Sequence, residues 1–225
     1  MPQQRLSRRL PDCCLVPVVA WGLVVPVKRL ALAKSRLGAY GDDVRQALAL
    51  AFAVDVVTAG LACPLVHEVI VVTDDPHAAG RLAEAGARIV PDAPDAGLNP
   101  ALAHGADLLD EALGTAAVSA DLPCLTPEDL TSALAAVVAG ARAFVADAGG
   151  TGTTLLAAPP GVALVPSYGT RSRAEHLASG AVELEGRPGL RRDVDTPADL
   201  QQAVQLGVGR ATAAVVARMG ATMDR

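Results

Sequence analysis

The residues that could do chemistry stand where short apolar runs end. Asp121 follows one such run in VSADLPCL, and Asp193 and Asp195 fall in LRRDVDTPADL. Asp193 and Asp195 are one residue apart, so an extended backbone puts both carboxylates on one face. Close carboxylates repel unless a cation sits between them. Mg²⁺, with phosphate oxygens completing its shell, is the hard cation that suits such a pair. A third stretch, KRLALAKSR, sets Lys28, Arg29, Lys34 and Arg36 directly behind another apolar run, in a chain whose net charge is −5. These cations are expected to face the same ligand edge as Asp121 and to supply a local anion-binding patch.

Each feature also has a plainer reading. Asp121 could cap the turn it begins, although Thr126-Pro127 supplies an N-cap and first helical residue of its own, with Glu128 and Asp129 behind it. Asp195 or Thr196 could cap the helix that starts at Pro197, and the basic stretch could be a solvated loop. In AFVADAGGTGTTLLAA, Gly149, Gly150 and Gly152 allow close backbone approach to a ligand, and Thr151, Thr153 and Thr154 offer hydroxyls. A hairpin turn explains the same glycines. Gly169 and Ser172, with Arg171 and Arg173, lead into a helix as a plausible anion seat. Capping accounts for that serine but not for the glycine and arginines together. Asp75, before Pro76, reads as a helix cap, and Asp74 and Asp75 are left outside the site.

Composition removes several classes. Aromatic residues make up 2% of the chain and the net charge is negative, so stacking platforms and the basic footprint of a nucleic-acid binder are missing. Cys13, Cys14, Cys63 and Cys124 lack metal-ligand spacing and read as reduced thiols of a cytoplasmic protein. Neither a Walker A loop nor a dinucleotide fingerprint is present. The N-terminus pairs basic residues with an apolar run, the outline of a secretory signal, but Pro17 and Pro26 interrupt it. It is also shorter than the roughly 20 apolar residues a bilayer span needs. Residues 1–17 are expected to be a loose extension and 18–225 one domain.

The elements that must position these residues alternate. Strands are expected at 21–27, 68–73, 88–91 and 116–119, and helices at 42–61, after Asp75, at 99–113 and at 127–139. Strands separated by helices pair in parallel through right-handed crossovers, with ligands outside the strands' carboxyl ends. The 42–61 helix is apolar round most of its surface and should be buried on both sides. Later, AFVADA, TTLLAA and VALVP read as strands that add antiparallel pairs, and a short strand is expected just before Asp193.

Taken in order, PVKRLALAKSRL, GLNPAL, SADLPCL, FVADAGGTGTTLLAA, the Gly169/Ser172 segment with HLASGAVEL, and LRRDVDTPADLQQAVQLGVG resemble the phosphoenolpyruvate/2-phospho-L-lactate guanylyltransferase family of coenzyme F420 biosynthesis, in its actinobacterial branch. The resemblance covers about residues 24–216. It implies a Rossmann-like nucleotidyltransferase fold, an α/β three-layer sandwich around a mostly parallel mixed sheet. It implies GTP and phosphoenolpyruvate (or 2-phospho-L-lactate) as substrates and Mg²⁺ as the cation. It carries metal ligation onto Asp121 and Asp193, with Asp195 beside them, and acceptor contacts onto Thr153, Gly169 and Ser172. Lys28, Lys34 and Arg36 stand where the superfamily has its nucleotide loop, and Asn99 is a softer candidate for the guanosine. Lys28 and Lys34 are expected to serve the triphosphate during transfer. The resemblance further implies coupling to a downstream transferase, with no nucleic-acid or membrane partner.

Overall fold

The computed structural model describes residues 19–93 and 95–223, so the expected N-terminal extension lies outside the described residues. Seven strands join one mixed sheet. They are β1 (Trp21–Pro26), β2 (Val66–Val72), β3 (Arg88–Val90), β4 (Gly114–Val118), β5 (Ala143–Ala146), β6 (Thr153–Ala158) and β7 (Val182–Leu184), in the order β3-β2-β1-β4-β6-β5-β7. Only β6 runs against its neighbours β4 and β5; the other pairings are parallel. The near-continuous apolar sequences of β1 and of the second half of β2 follow from this, because central parallel strands are covered on both faces.

The helices are α1 (Asp42–Ala62), α2 (Pro76–Glu84), α3 (Leu98–Ala106), α4 (Pro127–Ala135), α5 (Ser172–Ala178), α6 (Pro188–Arg191), α7 (Pro197–Leu206) and α8 (Arg210–Met223). One face of the sheet packs under α1, α2 and α4; the other receives α3 and the segment after β6. This is the expected three-layer α/β arrangement. Among the described residues α1 alone is long and apolar enough to cross a membrane. It is instead the central core helix: Ala53, Val56 and Val57 meet the sheet, while Leu48, Ala51 and Phe52 meet Leu200 and Ala203 of α7 and Val215 of α8. Asp55, buried within α1, accepts the Ala211 and Thr212 amides at 2.9 Å each and so caps α8.

Three expected elements differ. VALVP is no strand: β6 is already flanked on both sides, so no edge is open to it, and Val165 adopts a left-handed φ of 47°. The helix expected to reach Leu113 ends at Ala106, where tight turns close through Leu108 and Leu109 and bury Leu109 against the bare backbone of Gly22. The segment before Asp193 is the helical turn α6 rather than a strand, because Pro188 occupies a first helical position and Arg192 N–H returns to its carbonyl at 3.0 Å.

Candidate active site

The chain reverses direction across the sheet between β1 and β4: β2 and β3 build outward on one side of β1, and β4 returns to the other. Such a switch point opens a crevice at the strands' carboxyl ends. A cleft of about 370 Å³ lies there, bounded by the loop after β1, by Ser119–Asp121 after β4, and by Tyr168.

The basic loop after β1 is held from beneath. Buried Arg45 of α1 donates to the carbonyls of Leu30 (3.1 Å), Ala31 (3.0 Å) and Ala33, and to Asp42. The Asp75 carboxylate accepts the Leu30 amide at 2.8 Å while capping α2 through His77 and Ala78. The capping read for Asp75 holds, and the same residue also anchors the loop. Lys34 then takes a left-handed backbone (φ 52°). Its ammonium donates to Asp121 Oδ2 at 2.5 Å and Asp195 Oδ1 at 2.6 Å, and Arg36 stands 3.8 Å from Asp195 Oδ2. Burial alone would lower the Lys34 pKa, but the two carboxylates outweigh it and hold the ammonium above its ordinary value. Lys28 also lines the cleft; Arg29, expected with it, does not.

The acids are brought together by backbone. Thr126 and Thr196 each form a full capping box, with Asp129 and Asp199, and this leaves Asp121 and Asp195 free of capping duty. Val194 N–H donates to the Asp121 carbonyl at 3.0 Å and joins the two acid segments directly. Asp193 is pushed up to about 6, first by burial and then by the neighbouring charges of Asp121 and Asp147. Asp121 Oδ1 is buried without a hydrogen-bond partner. Asp195 differs from the other two, since both its oxygens are turned to cations. Among the described residues no three His, Cys, Asp or Glu side chains gather as a ready-made metal cage. An orphaned carboxylate oxygen beside a carboxyl destabilised by like charge fits one divalent cation that draws most of its ligands from outside the protein.

Asp147 was not singled out in the sequence. It directly follows β5, and the glycines after it serve its turn. Its carboxylate accepts the Thr151 and Gly152 amides at 2.9 and 2.8 Å, and a Cβ on Gly152 would lie 2.4 Å from Asp147 Oδ2. The hairpin reading therefore wins for Gly149, Gly150 and Gly152. Arg191 ties this hairpin to the segment bearing Asp193 by donating to the Ala146 and Asp147 carbonyls at 3.1 and 2.9 Å.

The residues expected to contact the acceptor form a second group, outside the lining of the cleft. Thr153 opens β6; Ser172 opens α5, is buried, and has a hydroxyl with no hydrogen bond among the described residues. The Arg173 amide reaches the Thr151 carbonyl at 3.2 Å, which sets α5 against the hairpin, and the Ser172 amide reaches the Gly169 carbonyl at 3.1 Å. The expected anion seat loses its arginines. Arg173 grips Glu183 and the Gly150 carbonyl, and exposed Arg171 lies 3.8 Å from Glu175. Asn99 exchanges two hydrogen bonds with the Tyr168 backbone, at 2.7 and 3.0 Å, so one donor and one acceptor of its amide brace the loop rather than face a base.

The family of the MobA-like NTP transferase domain matches residues 53–204. A protein named phosphoenolpyruvate guanylyltransferase from Thermomonospora curvata is 58% identical over 208 residues, 90% of this chain and 91% of that protein. One of the same name from Salinispora arenicola is 54% identical over 209 residues, covering 91% and 97%. Among solved structures, a nucleotidyl transferase from a Methanothermobacter species superposes with a TM-score of 0.59 at 21% identity over 84% of this chain and 97% of that one, a likeness of fold alone.

Proposed function

Because the chain belongs to the MobA-like NTP transferases and, within them, to the phosphoenolpyruvate guanylyltransferases, we propose that its strand-end acids and basic loop transfer GMP from GTP to phosphoenolpyruvate with Mg²⁺. The acceptor's phosphate oxygen forms a bond to the α-phosphorus of GTP. The bond from that phosphorus to the β-phosphate oxygen breaks, leaving enolpyruvyl-diphospho-5'-guanosine and pyrophosphate. The attacking phosphate is already ionised near neutral pH, so no general base is needed.

The observation that carries this reading is the convergence of Lys34, Asp121, Asp193 and Asp195 at the switch point. Asp121 and Asp193 are the pair that would hold Mg²⁺, which when bound supplies charge neutralisation at the α-phosphate and the leaving group. Lys28, Lys34 and Arg36 line the same cleft and are suited to the triphosphate. Lys34 needs little displacement, since its ammonium already lies among the acids. Thr153, Gly169 and Ser172, outside the lining of that cleft, are the residues suited to the phosphoenolpyruvate. Both substrates are polyanions, and the cations offset the repulsion of bringing them together. Asn99, through Tyr168, is better placed to hold the acceptor loop than to read guanine.

The reading places the enzyme in the cytoplasm, in coenzyme F420 biosynthesis, where a downstream transferase would consume the activated product. Mass spectrometry of the product after incubation with GTP, Mg²⁺ and either phosphoenolpyruvate or 2-phospho-L-lactate tests it. Enolpyruvyl-diphospho-5'-guanosine with stoichiometric pyrophosphate is expected. Absence of any GMP adduct on phosphoenolpyruvate overturns the reading.

A further inference from the structure

His176 is fully buried in α5, yet it is neither an acid nor a nucleophile in the reaction above. Its ring stands 5.7 Å from Phe144 and edge-on to Tyr168 at 5.4 Å. Each ring nitrogen has one partner. Nε2 lies 3.0 Å from the Ser167 amide, and Nδ1 lies 2.9 Å from Thr153 Oγ1. His176 thus spans from the first residue of β6 to the loop that carries Gly169, and both ends of that span belong to the acceptor group.

The proton inventory is fixed by one partner that has no choice. A backbone N–H only donates, so Nε2 accepts and carries no hydrogen. Burial, with Arg142 nearby, pushes the His176 pKa down to about 4, so the ring is neutral at working pH and its single proton sits on Nδ1. Nδ1 therefore donates to Thr153 Oγ1. The Thr153 hydroxyl, with one lone pair engaged, makes no other hydrogen bond among the described residues and keeps its own hydrogen to give away. A threonine hydroxyl donates or accepts as its partner requires; with Nδ1 as its donor, the hydrogen of this one is free for a ligand.

We propose that His176 is a positioning residue for the acceptor, fixing the Thr153 hydroxyl as a donor toward an anionic oxygen and holding the Gly169 loop against β6. The inference rests on the assignment of phosphoenolpyruvate to Thr153, Gly169 and Ser172. The phosphate and carboxylate of that acceptor offer only acceptor oxygens, which suits a hydroxyl whose hydrogen is free to donate. The loop is held at a second point as well: Tyr168, the next residue after Ser167, exchanges backbone bonds with Asn99 and donates its phenol to the Ala117 carbonyl at 3.0 Å.

Two substitutions divide the two contacts. His176→Asn keeps a short amide near Thr153 and gives up Ser167; His176→Gln reaches toward Ser167 and gives up Thr153. In folded His176→Gln the KM for phosphoenolpyruvate should rise about tenfold or more, the loss of one hydrogen bond to a charged group; in folded His176→Asn it should rise a few-fold through the released Gly169 loop, and in both the KM for GTP stays within about twofold. A purely structural histidine would move both constants together or neither, and either result overturns the proposal. Should both variants fail to fold, ¹⁵N NMR of the wild-type imidazole decides. A protonated Nδ1 with a bare Nε2 is expected, and the opposite tautomer overturns the proposal. Failure of the functional reading looks different, because wild-type protein would then not consume phosphoenolpyruvate at all.

Discussion

The backbone N–H of Val194 donates to the carbonyl of Asp121 at 3.0 Å, and this one bond makes a single unit of two acid segments far apart in the chain. Val194 is fully buried, so the bond is shielded from water, with Asp193 and Asp195 on either side of it. The Val194 amide should exchange with deuterium as slowly as the amides of β1 and β4, although it lies in no strand. Exchange as fast as in the surface loops would mean that the acids are not held together.

Lys34 is the cation on which the acids depend. Its removal leaves Asp121 and Asp195 facing each other without their shared ammonium. Lys34→Ala should fold, since the loop is anchored by Arg45 and Asp75 rather than by Lys34, but should lose about a hundredfold or more in kcat, the scale of losing one preorganised charge. Lys34→Arg should not rescue it, because a planar guanidinium cannot place one point charge between two carboxylates. Steady-state pyrophosphate release checks both.

Under the proposed Mg²⁺ role, Asp193 should make cation binding sensitive to pH. Its pKa stands near 6, raised by burial and by Asp121 and Asp147 above the ordinary 3.8. A protonated carboxyl does not ligate, so the apparent Mg²⁺ affinity should fall about tenfold between pH 7.5 and 5. The stability effect has the opposite sense. The folded chain binds this proton more tightly than the unfolded chain, so metal-free protein loses stability as the pH rises from 3.8 through 6. Magnesium titrations monitored by activity and by thermal unfolding at both pH values measure the two effects.

His176 gives the converse dependence. Its folded pKa of about 4 lies below the ordinary 6.5, because burial and Arg142 disfavour the charged ring. Its contribution to stability is fully present above pH 6.5 and is lost as the pH falls toward 4, by up to about 3 kcal/mol. Urea unfolding at pH 7 and 4.5 should show this loss in wild type and much less of it in His176→Gln.

Much of the frame was legible because its signals are local. The strands of the first half, α1 and both Thr-Pro capping boxes follow from apolar runs, dipole-favoured acids and N-cap residues. Asp121 could be set apart as a free carboxylate because Thr126 was visibly available to cap, whereas the sequence left the second cap open between Asp195 and Thr196. What was not legible depends on partners distant in sequence. Nothing near Arg45 announces that it will hold three carbonyls of the basic loop, and the glycines after Asp147 look the same whether they approach a ligand or an aspartate. Asp147 itself had a signal that was passed over: an acid at a strand end before a glycine pair, in the same setting as Asp121. VALVP carries the composition of a strand but meets a sheet with no open edge beside β6, which residue-level propensity cannot express.

In the proposed mechanism Asp121 and Asp193 together hold the cation that lets two polyanions meet. Pyrophosphate release from GTP and phosphoenolpyruvate, titrated with Mg²⁺ in wild type and in folded Asp193→Asn, tests it most directly. No turnover is expected without Mg²⁺, and a loss of about a hundredfold or more in the variant at any Mg²⁺ concentration, with GTP binding retained. Turnover by the variant within a few-fold of wild type at the same Mg²⁺ requirement would contradict it.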